Sequence, residues 1–208
     1  ENPESGISIG AVKQVYIYNN LVSGFTDNIF LDTVIDTAFV INNVLTNQSA
    51  NGSAASIWSS GNGIFAKNLI FHKNKKGIYQ SGSGYIRSNY NVFWKNIVNL
   101  VGTIFGDSDI VADPMFVNDT IPTANGSLPA GQAGYDFHLQ KYSPAIDKGD
   151  PTILDGDGSR SDIGIFGGPF GESYTYQDLA PKPPANLSAS LDSGLVHLKW
   201  NKNTEADL

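Results

Sequence analysis

The chain repeats itself with a period too short for a helical array and too rich in β-branched residues. Asparagines 20, 43, 68 and 91 recur at separations of 23, 25 and 23, each leading into an apolar pair: Leu21-Val22, Val44-Leu45, Leu69-Ile70 and Val92-Phe93. A second row runs between them as Ile29-Phe30, Ile57-Trp58, Ile78-Tyr79 and Ile104-Phe105. Short apolar seeds with Gly, Ser or Asn at the corners read as several brief strands per unit. A unit of about two dozen residues holding three strands predicts the coil of a parallel β-helix, paired to the next coil across ~4.8 Å. A residue that recurs once per coil then forms a ladder, and stacked asparagine amides donate and accept at a tight corner. Fifteen of the first hundred residues are Asn, which suits corners better than ligand sets.

This rhythm, over residues 12–112, resembles the pectin-lyase-like superfamily of right-handed parallel β-helix proteins. The expected fold is therefore all-β, with about four coils over 1–112 and further N-terminal coils ahead of them. From Asp113 the chain reads DPMFV, YDFHLQ, SPAIDKGDP and DGDGSRSDIGIFGGP, which resembles the closing segment of secreted bacterial β-helix proteins. That resemblance implies a C-terminal cap over 113–178, with Phe116, Phe137, Leu139, Ile146 and Ile163 covering the last coil and its exposed strand edges. LAPKPPAN (179–186) is a Pro-rich linker. Residues 187–208 hold two strands around an Asp-Ser-Gly turn and resemble the opening of a fibronectin type III sandwich, truncated after its first strands.

Strand alternation separates core from surface. With Ile inward in the second row, Phe30, Trp58, Tyr79 and Phe105 form an external stripe able to bind sugar faces; a register slipped by one exchanges the faces. Charge adds a second feature, since residues 1–100 carry seven Lys/Arg against five Asp/Glu, whereas 101–180 carry three against twelve. No acidic residue lies between Asp36 and Asp107, yet Lys73, Lys76 and Arg87 do, so that stretch either favours an anionic partner or is a solvated face.

A glycosidase needs two carboxylates ~5–9.5 Å apart, and segment 37–106 contains none. Uronate β-elimination needs a base and a cation or metal for the enolate instead. The superfamily resemblance implies Lys or Arg as base, with Ca²⁺ on the substrate carboxylate. Lys73, Lys76 and Arg87, near His72 and Tyr79, are the candidates, although they match no family motif. Asp155, Asp157 and Asp162 are closely spaced oxygen ligands for a structural Ca²⁺, at a spacing unlike an EF-hand; turn capping or pairing with Arg160 is the alternative.

With no cysteine, disulfides, thiolate metal sites and cysteine nucleophiles are excluded. No apolar run approaches a membrane span of ~18 residues, and no nucleic-acid recognition motif is present. Sequons at Asn47, Asn51 and Asn125 are of the kind that Asn-rich turns produce by chance. The reading is a monomeric, extracellular, secreted or cell-surface protein acting on an anionic polysaccharide. Its activity is that of a lyase or related enzyme, or alternatively it is a non-catalytic adhesin or carbohydrate-binding stalk. A carboxylate pair or cationic motif in preceding coils would distinguish the two.

Overall fold

The computed structural model describes residues 5–46, 56–61, 63–120 and 134–206, so the sequons at Asn47, Asn51 and Asn125 lie outside the described residues. The first coil comprises β1 (Ser5–Tyr18) and β2 (Leu21–Ser23), the second β3 (Asp27–Ile41) and β4 (Val44–Thr46). The third comprises β5 (Ile57–Ser59), β6 (Ile64–Lys67) and β7 (Ile70–His72), the fourth β8 (Lys76–Gln80), β9 (Ile86–Asn89) and β10 (Val92–Trp94). A further coil is begun by β11 (Val98–Val101) and β12 (Ile110–Val111). All these strands pair in parallel, giving a β-solenoid of about four turns with no helix among the described residues.

The coils stack into three faces. The first joins the start of β1 and β3 to β5, β8 and β11; the second joins their later halves to β6 and β9; the third is β2-β4-β7-β10-β12. Alternation turns Ile29, Ile57, Ile78, Ile64 and Ile86 into the interior, where most are fully buried. Inside the third face Phe71 and Phe93 stack at 4.7 Å. Burying such a side chain is worth ~1.5–3 kcal/mol, so a continuous interior column is the main force holding the coils in register.

The corner between the second and third faces explains the asparagines. Asn19, Asn42, Asn68 and Tyr90 occupy it with φ of 51°, 54°, 54° and 59°, a left-handed conformation that Asn tolerates unusually well. The next position in each coil is Asn20, Asn43, Leu69 and Asn91, because Val44 and Val92 both pair with Ile70. This corrects the expected alignment by one residue at Asn68, which belongs to the left-handed row. At the inward position, Asn43 Nδ2 donates to the carbonyls of Ile17 and Ile41, both at 2.9 Å, and its Oδ1 accepts from the Asn20 amide at 2.8 Å. Asn91 repeats the clamp, donating to Ala66 O and accepting from Leu69 N, each at 2.8 Å.

The closing segment lies along the flank of the solenoid, not over its last coil. β13 (Phe116–Asn118) and β14 (Asp136–Leu139) form an antiparallel pair, and the chain then runs back across the third face to the first coil. The outward Val44, Ile70 and Val92 are fully buried there beneath Phe116, Phe137, Leu139, Ala145 and Ile163, a second apolar core. The left-handed asparagines anchor the segment in order. Asn68 Oδ1 accepts from Asp150 N at 2.6 Å, Asn42 Nδ2 donates to Asp162 O and Gly164 O, and Asn19 Nδ2 donates to Ile165 O and Gly167 O.

A terminal hairpin, β15 (Ser188–Asp192) and β16 (Leu195–Lys199), turns through Ser193 and Gly194 at φ 50° and 81°, as a two-residue turn of the mirror-image type demands. Leu191, Val196, Leu198 and Trp200 on one of its faces are exposed.

Candidate functional site

The surface with most chemical character is the outside of the second face. Register places Tyr16, Phe39, Phe65 and Arg87 in one outward row, and Tyr18, Ile41, Lys67 and Asn89 in the row beside it. Coil spacing near 4.8 Å is the spacing at which rings stack, and they do: Tyr16 on Phe39 at 5.1 Å and 9°, Phe39 on Phe65 at 5.4 Å and 13°. Their faces are turned to one another, so what solvent meets is largely ring edge, the electropositive rim of the aromatic quadrupole.

The closing segment supplies a wall beside this floor. Phe170 stands 5.9 Å from Tyr18, and Ile153, Pro169 and Phe170 enclose with Tyr16, Phe39 and Ile41 an apolar cleft of about 270 Å³. A second cleft of about 410 Å³ follows along the row, lined by Phe65, Lys67, Arg87, Asn89, Phe105 and Asp107. Lys67 joins floor to wall through a 2.6 Å ion pair with Asp150. Burial opposes ionisation of Asp150, but the bonds from Lys67 and Thr152 prevail and hold its carboxyl below the usual range.

Arg87 and Phe105, two of the residues expected at a site, therefore meet in one cleft. Phe105 does not continue the Ile-aromatic row, because β11 sets Leu100 and Val101 beside Ile78 and Tyr79. Instead the ring lies edge-on to Phe93 at 5.2 Å, at the end of the solenoid. Gly106 permits that approach, since a Cβ there would meet Ser88 O at 2.1 Å. Phe30, Trp58 and Tyr79 do form an outward row, on the first face. Phe30 and Trp58 stack on each other at 4.4 Å, and the Lys76 ammonium lies 4.7 Å from the Tyr79 ring.

Lys73 is on neither surface. It occupies a left-handed corner and pairs with Asp119 at 2.8 Å. Beside it is a cluster that the sequence pattern did not reveal: Thr46 Oγ1 is 3.0 Å from His72 Nδ1, and His72 Nε2 is 3.1 Å from Asp119 Oδ2, in contact but poorly aligned for a hydrogen bond. Burial lowers the affinity of His72 for a proton, while His72 and Lys73 keep the Asp119 carboxyl well below its ordinary range. The order Thr-His-Asp imitates a nucleophile relay, yet Thr46 is fully buried and beyond the reach of a substrate. Its role is to fasten Asp119 to the third face. Lys73, Lys76 and Arg87 thus serve three separate surfaces and do not converge.

Asp155, Asp157 and Asp162 line one small polar cleft with Tyr174 and Tyr176. Asp155 accepts from the amides of Asp162 and Gly168, Asp157 from Ser159, and Asp162 from Asp147 N and Tyr176 Oη. Among the described residues no three carboxylate or imidazole groups converge as a metal site. Burial pushes Asp162 up to about 6, against the two bonds it receives.

Searches against protein-family models, characterised proteins and solved structures matched none of them to this chain.

Proposed function

We propose that this chain is a glycan-binding β-solenoid that holds an extended polysaccharide along its second face without cleaving it. What supports this reading is the unbroken outward row Tyr16, Phe39, Phe65 and Arg87, with one cleft walled by Phe170 at its start and a second cleft lined by Phe65 and Arg87 at its end. The row of four coils spans about 14 Å at ~4.8 Å per coil, a track suited to a linear chain of sugars. Ring edges and a cation present positive potential to an oxygen-rich ligand, while the apolar cleft shields it from water. The lyase alternative needs a base and an enolate-stabilising cation at one substrate carbon, and the three candidate cations are on different surfaces.

Retention on immobilised oligosaccharides, together with absorbance of unsaturated uronates, tests this. The expected result is retention without new absorbance, with Phe39→Ala weakening retention about tenfold as a central aromatic anchor would. Growth of the unsaturated chromophore on a uronate polymer would replace the binding reading with the lyase.

A further inference from the structure

Arg87 occupies the one position of its row that breaks the aromatic pattern: Tyr16, Phe39 and Phe65 precede it in register. Its guanidinium lies 5.7 Å from the Phe65 ring centroid and 5.0 Å from that of Tyr85. Two rings thus hold the side chain in place by cation–π contact and accept no conventional hydrogen bond from its N–H fork. Among the described residues Arg87 makes ring contacts and no ion pair. Lys67 is different, since its ammonium is already bound to Asp150 at 2.6 Å.

Asn89 adds a second donor on the same outward side of β9, two residues on. Its amide orientation follows from its partners: Oδ1 accepts from Tyr90 N at 3.1 Å and Ser108 N at 3.0 Å. That leaves the Nδ2 hydrogens to donate elsewhere, and Asn89 and Arg87 line the same cleft of about 410 Å³. Asp107 lines the same cleft and is the competing negative charge.

We propose that the Arg87 end of the groove is an anion subsite, in which the guanidinium fork and the Asn89 amide take a carboxylate or sulfate carried by a sugar. The proposal rests on the glycan-binding reading and names its ligand class. Arg87 here is a binding residue, not a base. A fork matches the paired oxygens of either anion, and an ammonium does not reproduce it.

Titration calorimetry of the whole chain with three hexasaccharides tests this: oligogalacturonate, a heparin-derived sulfated hexamer and neutral cellohexaose. At least one anionic hexamer binds more tightly than the neutral one. Arg87→Ala removes about ten- to a hundredfold of that affinity and costs neutral binding far less, while Arg87→Lys recovers only part. Asp107→Asn tightens anionic binding a few-fold. Preference for oligogalacturonate assigns the anion as a uronate, and preference for the sulfated hexamer as a sulfate ester. Equal binding of all three hexamers, unchanged in Arg87→Ala, overturns the anion subsite but leaves the glycan reading standing. Absence of binding to any hexamer overturns both.

Discussion

The second and third faces of this solenoid are built from the same coils at the same spacing, yet their outer surfaces have opposite fates. On the third face the outward residues Val44, Ile70 and Val92 are aliphatic and fully buried beneath the closing segment. On the second they are Tyr16, Phe39, Phe65 and Arg87, with Tyr16 and Arg87 exposed and the two phenylalanines half-buried beside the same segment. Aliphatic ladders have no other use than burial, and the chain supplies a cover. Stacked rings satisfy one another, so they stay ordered without a cover and leave a track. The asparagines divide similarly, with Asn43 and Asn91 clamping the corner from inside and Asn19, Asn42 and Asn68 holding the cover from outside.

Hollowing the covered face is expected to have the largest effect. Ile70→Ala leaves a cavity between the third face and Ile163, and a loss of about 2–5 kcal/mol is expected in urea unfolding. A loss below 1 kcal/mol would mean that the closing segment is not a second core.

The cover also carries a pH signature. Asp162 has its proton affinity raised in the folded chain, to about 6, with Asp147, Asp155 and Tyr176 around it. Its contribution is fully present below its unfolded value near 3.8 and is lost as pH rises through about 6. Asp162→Asn keeps an acceptor for Asp147 N without the buried charge. The variant is expected to exceed the parent by at most about 3 kcal/mol at pH 7.5, the gap closing towards pH 4. A gap of the same size at both values contradicts the assignment.

The open face is expected to respond least in stability. Tyr16→Ala removes the first ring of the row, which is 54 % exposed, and should cost about 1 kcal/mol of folding while weakening glycan retention. A larger folding loss with unchanged retention would make the row structural, like its neighbour.

Much of the solenoid is legible in the sequence. Ile29, Ile57 and Ile78 enter the core and Phe30, Trp58 and Tyr79 point out, because alternation leaves two registers and only one buries aliphatic side chains continuously. The one-residue offset at Asn68 hides more. Tyr16, Phe39, Phe65 and Arg87 each stand four residues before the positions 20, 43, 69 and 91. Aligning the third coil on Asn68 instead of Leu69 shifts Phe65 out of that row and hides it. Tandem asparagines invite such a slip, since one closes the corner by its left-handed backbone and the next by its side chain. The Thr46-His72-Asp119 cluster and the course of the cover depend on contacts across 26 and 47 residues or more, which no local pattern encodes.

Hydroxyl-radical footprinting with an oligosaccharide selected by calorimetry locates the bound glycan on the solenoid. If the glycan lies on the second face, Tyr16, Phe39, Phe65 and Tyr85 lose reactivity on saturation with ligand, while the exposed Tyr135 and Tyr142 of the closing segment do not. Protection confined to Trp58 and Tyr79, or to residues off the second face altogether, would contradict it.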